Sequence, residues 1–337
     1  MSRAVRIGIL TAVTALCLVL AGGYVVRTSQ DARERSRPVS GGPEERPGSI
    51  VANAPGEIVF RNEAWGATRS RLSSAPLSAP DGARTTAELS CQRFYSAHGT
   101  AVCLQAPQGI TGSYQAVILD GSLHELARTP LSGTPSRARV SPSGRFATWT
   151  TFVSGDSYAA AGFSTRVTIH DTVSGRALPD LETWSLFLDG EPYHSPDVNF
   201  WGVTFADDET FYLTLGTGKK TYLVRGDLVS RTLHTLRTNA ECPSLSPDGT
   251  RLSFKKRVPH RDPDSPWQLV VLDLRTMAET TLAEPASVDD QVEWLDDRTV
   301  LYAKPGDIGS DLWQVPADGT GRPRLTVRAA SSPVVSR

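Results

Sequence analysis

The chain has 337 residues and a formal net charge of −1, its 36 acidic residues offsetting 35 basic ones. That balance excludes the broad basic field by which proteins bind nucleic acid. Hydrophobic residues at 39%, charged residues at 21%, and 28 glycines with 23 prolines describe a folded, turn-rich chain rather than a helical bundle or coiled coil.

Residues 7–26, IGILTAVTALCLVLAGGYVV, carry no charge. As a helix they span about 30 Å, the thickness of a bilayer core. Arg3 and Arg6 precede the run, as in a secretory leader. Two outcomes stay open. An uncleaved signal-anchor is favoured because the apolar run continues through Tyr24, Val25 and Val26. A cleaved signal peptide would use Ala21-Gly22-Gly23, a poor match to a cleavage site. The short basic start favours a cytoplasmic N-terminus, although Arg27, Arg33, Arg35 and Arg37 follow the run. The expectation is a single pass through the cytoplasmic membrane with the C-terminal domain outside, or a secreted protein if the leader is removed. Cys17 is an apolar residue of this segment. Residues 27–55 are rich in Arg, Ser, Pro, Gly and Glu, with almost nothing apolar before Ile50. They bury too little surface to offset chain entropy, so a flexible linker is expected.

From residue 56 onward, short apolar alternations are broken by turn residues every 8–12 positions, the pattern of an all-β domain. A repeat underlies it. Its clearest copy is CPSLSPDGTRLSFKKR, residues 242–257: a strand, a tight turn and a strand. Pro247 fixes the second turn position, Asp248 tolerates the third, and Gly249 takes the conformation other residues resist. Weaker copies are ARVSPSGRFATW (138–149), VTFADDETFYLTL (203–215), VEWLDDRTVLYA (292–303) and RFYSAHGTAVCL (93–104). Their aligned turn residues, Gly99, Gly144, Asp208, Gly249 and Asp297, lie 45, 64, 41 and 48 residues apart. Most of these spacings suit one four-stranded propeller blade. Two further strand-like runs follow each hairpin, giving five blades. Residues 57–63, 67–77 and 83–89 supply three strands of another that lacks its inner strand. The final SSPVVSR matches the start of CPSLS, with Pro333 on Pro243 and Val335 on Leu245. The fold predicted is therefore a six-bladed β-propeller over residues 56–337. Its C-terminal strand pairs with the N-terminal blade and removes the open sheet edges.

These residues resemble the TolB-like propeller repeat, PxWSPDGxxIaF followed by a strand of the form xIyvxdxdGgxxrrLT. Residues 243–254 match the first half and residues 311–326 the second. The resemblance spans roughly residues 57–337 and is degenerate outside two blades. The Asp207-Asp208 and Asp296-Asp297 copies lack the Ser-Pro-Asp-Gly turn, and no α/β domain of the TolB kind precedes the repeats. The resemblance implies the repeat and not a role in envelope integrity. The same repeat caps prolyl-oligopeptidase-type enzymes, but no α/β-hydrolase domain follows it here.

Cys91 and Cys103 flank the first complete hairpin and should face each other across it. A bridge would close a loop of about 13 residues, contributing roughly 3 kcal/mol, and would place the domain in an oxidising compartment. Two buried free thiols are the alternative. Cys242 is left over as a small apolar residue.

Sites for chemistry are scarce. His98, His124, His170, His194, His234 and His260 show no metal-ligand spacing. Gly155-Asp156-Ser157 resembles a hydrolase start but lacks a downstream Asp-x-x-His. Residues 216–221, GTGKKT, lack the first glycine of a phosphate loop and precede a strand rather than a helix. The two Asp pairs occupy equivalent turns, so turn chemistry explains them. No catalytic residue, metal or cofactor is assigned.

Alternating strand direction puts the second-to-third-strand loops and the inter-blade loops on one face, and the tight turns on the other. The insertions at 150–164, 182–199 and 258–266 then share a face. They carry Trp184, Phe187, Tyr193, His194, His260, Arg261 and Asp262, which are candidate partner-binding residues. The alternative is that these aromatics plug the ring or pack the insertion. The function expected is a non-enzymatic, membrane-tethered scaffold on the extracytoplasmic side, binding a protein or cell-envelope ligand. The alternative is a lactonase- or glycan-type propeller hydrolase with its site at the channel mouth.

Overall fold

The computed structural model describes residues 2–35, 42–107, 112–153, 164–259 and 261–336. Six sheets stand radially around one axis. Numbered from the N-terminus, their innermost strands are Ala330–Val335 in blade 1, Arg93–Ala97 in blade 2 and Thr134–Val140 in blade 3. Asn199–Phe205, Glu241–Leu245 and Glu293–Asp296 follow in blades 4, 5 and 6. Each innermost strand packs against the next, and the strand of blade 6 meets that of blade 1.

The closing contact is the expected one. Ala330–Val335 runs antiparallel to Glu57–Asn62, with Ile58 opposite Val335 and Val59 opposite Val334. The ladder ends with the Ser336 N–H donating to the Glu57 carbonyl at 3.1 Å. Arg84 reinforces the seam from blade 1. Its guanidinium donates to the carbonyls of Arg328 at 2.7 Å and Ala329 at 3.1 Å, and to Asn62 Oδ1 at 3.1 Å. It lies 4.9 Å from the Phe60 ring, and burial pulls its pKa down to about 10.

The repeat's turn chemistry sets the blades against one another. Gly249 (φ 71°) and Gly144 (φ 81°) sit in left-handed backbone that side chains resist. At Gly144 a Cβ would also meet Thr100 Oγ1 of blade 2 at 2.9 Å. In the Asp-Asp turns the first carboxylate caps its own turn: Asp207 accepts from the N–H groups of Glu209 and Thr210, and Asp296 from that of Arg298. The second reaches the preceding blade. Asp208 accepts from Ser141 and Ser143 of blade 3, and Asp297 from the Asp248 N–H of blade 5. The Ser-Pro-x-Gly and Asp-Asp turns are thus partners in a cross-blade clamp.

The core lies between blades. Phe146 of blade 3 joins Phe205 and Phe211 of blade 4 in one cluster, and Leu269 of blade 5 packs with Trp294 and Tyr302 of blade 6 in another. Each such buried side chain contributes about 1.5–3 kcal/mol. Cys91 and Cys103 form a disulfide with a Cα–Cα distance of 5.4 Å, tying the link after blade 1 to blade 2.

Two expectations about boundaries need correction. The N-terminal helix runs Arg3–Arg35, nine residues past the apolar run, and the segment Ile7–Gln30 is long and apolar enough to cross a membrane. Residues 45–52 are part of the domain rather than linker. Glu45–Pro47 pairs in parallel with Arg84–Ser90 as a fifth strand of blade 1, and Ile50 and Ala52 are buried in the core. Glu45 fixes the strand by accepting from Asn62 Nδ2 and Thr68 Oγ1.

The insertion at 182–199 is not a loop above the ring. Ser185–Leu188 and Glu191–Tyr193 form a hairpin that adds to the outer edge of blade 4, Ser185–Leu188 lying parallel to Thr232–Thr238. Blade 4 therefore has six strands.

Candidate functional site

A cavity of about 600 Å³ opens at the centre of the ring, on the side of the first-to-second-strand turns. Its wall combines the ends of five innermost strands, those of blades 1 to 5, with turn residues such as His98, Pro142 and Pro247. Tyr95, Phe205, Leu245 and Val335 supply apolar surface, and Ser96, Ser244 and Ser246 supply hydroxyls. Ala52 and Asn53, from the segment that enters along blade 1, complete one side. The Ala52 N–H donates to the Gly121 carbonyl of blade 2 at 2.8 Å.

Arg139 forms the floor. It starts in blade 3 and crosses to blade 6, donating to the Val292 carbonyl at 2.8 Å and lying 3.8 Å from Glu293. Its guanidinium stands 4.5 Å from the Tyr95 ring centre. Gln291 of blade 6 bridges the carbonyls of Val203 in blade 4 and Pro243 in blade 5 at 3.1 and 2.8 Å. Side chains therefore cross the channel below the cavity, which makes it a cup.

Among the described residues, the lining contains no Asp, Glu or Cys. It does contain polar atoms without partners. Ser96 is 3% exposed and its Oγ makes no hydrogen bond. Asn53 Nδ2 donates to the Ser96 carbonyl at 3.2 Å, while its Oδ1 is buried and unpartnered. Buried polar groups left this way cost stability until something bonds to them. Among the described residues, no group of three or more His, Cys, Asp or Glu could hold a metal ion.

The candidate residues expected from the sequence are distributed differently. Trp184 is 7% exposed, packs edge-on to Phe211 at 5.9 Å and donates from Nε1 to the Pro179 carbonyl at 3.2 Å. It is a core residue of blade 4. Phe187 is half-buried and stacks on His234 at 4.6 Å with the rings 4° from parallel. The Tyr193 hydroxyl pairs with Thr217 Oγ1 at 2.9 Å, and His194 beside it is exposed. Arg261 donates to the Trp267 carbonyl at 2.7 Å and to Gln268 Oε1 at 2.8 Å. Asp262 Oδ1 accepts from the Asp264 N–H at 2.9 Å. His260 lies outside the described residues, as does Gly155-Asp156-Ser157. The structure thus gathers Phe187, Tyr193 and His194 on the outer hairpin of blade 4 and leaves Arg261 and Asp262 on a loop of blade 5. None of them lines the cup.

Two carboxylates carry large shifts for structural reasons. Bonds from Ser195 Oγ, Thr217 Oγ1 and the Gly218 N–H hold Asp197 at about 2. Asp248 also falls to about 2, where bonds from Ser246 and Thr250 outweigh the opposing effect of burial. The cup residues Tyr95, Ser96 and Arg139 carry no motif in the sequence, although Arg139 leaves a trace: with Arg137 it puts two charges in the innermost strand ahead of Ser-Pro-Ser-Gly.

No family model matches the chain, and no curated protein matches it. Solved structures do match. TolB from Acinetobacter baumannii is similar with a TM-score of 0.60 at 17% identity, the match covering 83% of this chain and 66% of that one. A chain of the nidogen/laminin complex gives a TM-score of 0.56 at 11% identity, covering 83% of this chain and 99% of that one. The tricorn protease gives 0.50 at 10% identity, covering 82% and 30%. The chain spans just under two thirds of the TolB structure. At these identities the likeness shows the fold alone: a β-propeller.

Proposed function

We propose that the protein is a membrane-tethered, extracytoplasmic binding propeller that takes a projecting segment of a protein or envelope ligand into the central cup. The observation that carries this is the cup itself. It is closed below by Arg139 and Gln291, walled by Tyr95 and Phe205, and bordered by Ser96 and Asn53, each of which holds a buried polar atom without a partner. A site of this size with an apolar wall and a few convergent polar groups is built to hold a ligand. A hydrolytic reading has less to work with, since glycoside chemistry needs paired carboxylates and the described lining residues include none. The apolar segment Ile7–Gln30 supports the tether, and the Cys91–Cys103 bridge supports an oxidising compartment. Phe187, Tyr193 and His194, with Arg261 and Asp262, are retained as a second contact surface at the rim.

The test is site-specific photo-crosslinking of the full chain in membranes. A crosslinker at Ala97 in the cup should trap one discrete species, and Tyr95→Glu should abolish it. A crosslinker at Leu126, 63% exposed on the outer strand of blade 2, should trap none. Trapping from Phe187 alone would move the site to the rim. Turnover of ester or glycoside substrates that is lost in His98→Ala would replace binding with catalysis.

A further inference from the structure

Below the cup, on the far side of its floor, two arginines meet, and among the described residues only Arg137 has an acid within ion-pair distance. Arg93 is the first residue of the innermost strand of blade 2, two residues before Tyr95. Arg137 lies two residues before Arg139 in blade 3. By strand alternation the pair Arg93 and Arg137 stands directly beneath the pair Tyr95 and Arg139. Both guanidiniums converge on one carbonyl oxygen. Arg93 Nε donates to the Ser136 carbonyl at 2.6 Å, and Arg137 donates to the same oxygen at 3.0 Å.

Neighbouring carboxylates are committed elsewhere. Asp289 is 3.9 Å from Arg137 but bonded to Lys255, which also lies 3.9 Å from Glu241. Glu63 takes Arg61 and Ser331. Asp290 accepts from the Ala303 N–H at 3.4 Å. Among the described residues, no carboxylate forms an ion pair with Arg93. Arg137 Nε is buried and has no partner. Burial and the charge of Arg137 lower the Arg93 pKa. Arg137 shifts the other way: against burial, Cys242, Asp290 and Asp289 raise it. Arg93 is the less compensated of the two. The site borders solvent, because Asp289 beside Arg137 is 65% exposed.

A buried guanidinium such as Arg93, set beside a second one and bonded to a neutral carbonyl, is costly unless an anion joins it. We infer that Arg93 and Arg137 form a second binding site, at the channel end opposite the cup, for a small free oxyanion carrying a phosphate or carboxylate group. The guanidinium forks suit the planar array of oxygens on such a ligand. Arg93 contributes its terminal nitrogens and Arg137 its Nε–H.

The experiment is thermal unfolding of the full chain in neutral detergent. It is titrated with sodium phosphate, and with acetate in a parallel arm, against sodium chloride at matched ionic strength. Phosphate should raise the melting temperature along a saturable curve that chloride does not produce. A saturable curve is expected with acetate too, and a flat one would overturn the carboxylate half of the inference. Arg93→Gln should weaken the apparent phosphate affinity by about tenfold or more, the worth of one charge-assisted bond. Asp289→Asn, which removes a competing carboxylate beside Arg137, should tighten it severalfold, with circular dichroism checking the fold because Asp289 also bonds the buried Lys255. The inference is overturned if phosphate and chloride give the same curve, if Arg93→Gln folds and binds phosphate unchanged, or if Asp289→Asn leaves the affinity unchanged or weaker.

Discussion

Ring closure rests on residues 275 positions apart, and the pair Val59 and Val334 measures it. The two side chains are 0% and 1% exposed and stand opposite each other in the closing ladder. Truncating Val334 to Ala removes two buried methyl groups and leaves a small cavity, at a cost of about 2–3 kcal/mol. For a domain of this size that lowers the melting temperature by about 4 °C. Val59→Ala should cost a similar amount. Because the two valines touch, the double variant should fall short of the sum by about 0.5–1 kcal/mol. Val173→Ala, at a turn position 81% exposed, should change stability by less than about 0.5 kcal/mol. Urea unfolding followed by tryptophan fluorescence reads all four proteins. Strict additivity of Val59→Ala and Val334→Ala, or a Val334→Ala midpoint equal to wild type, would refute the closure. Deleting residues 330–337 is the coarser version. It strips the whole innermost strand of blade 1, and the loss should approach the entire stability of about 5–15 kcal/mol.

Reducing the Cys91–Cys103 bridge, or replacing both residues with Ser, should cost about 3 kcal/mol for a loop of this length, seen as a lower melting temperature in dithiothreitol. Arg84→Met should cost about 3–5 kcal/mol, because Asn62 Oδ1 and the carbonyls of Arg328 and Ala329 lose a buried donor; an exposed-site cost in urea melts would contradict the seam role. The depressed carboxylates Asp197 and Asp248 fall from 3.8 to about 2 on folding, so their stabilisation is complete above about 4 and disappears as the pH drops through about 2. Acid unfolding should therefore steepen across that window, and Asp197→Asn should flatten the steep part.

What was legible in the sequence was local. Pro247-Asp248-Gly249 can make only a tight turn, and its spaced copies count the blades. The closing strand was visible because SSPVVSR repeats the pattern of CPSLS, and pattern survives separation along the chain. The fifth strand of blade 1 left no such trace. Glu45-Arg46-Pro47 is polar and resembles linker by composition, and it becomes a strand only because Asn62 and Thr68 hold Glu45 in place. The insertion at 182–199 misled for a related reason. Its aromatic residues suit a recognition loop and a packed hairpin equally well. The deciding partners, Phe211 for Trp184 and His234 for Phe187, come from strands of blade 4 that the sequence does not place beside them.

The two Asp-Asp turns show how composition can mislead about function while remaining informative about architecture. As a carboxylate pair, Asp207 and Asp208 suggest acid–base chemistry; as turn residues they suggest nothing beyond a bend. The structure assigns each carboxylate a separate task, the first within its own turn and the second on the blade before it. At blades 3 and 4 this division depends on the Ser-Pro-x-Gly turn, because the Ser141 and Ser143 hydroxyls supply the donors for Asp208, whereas Asp297 takes a backbone N–H that any residue but proline offers. The order of blades 3 and 4 is therefore constrained by side-chain chemistry, where repeat degeneracy alone would leave it free. Asp208→Ala should then loosen the seam between blades 3 and 4. Faster amide exchange at the turn residues of both blades would show this, with the Asp207 cap leaving the turn of blade 4 itself intact. Exchange that rises only in blade 4 would reduce Asp208 to an ordinary turn residue.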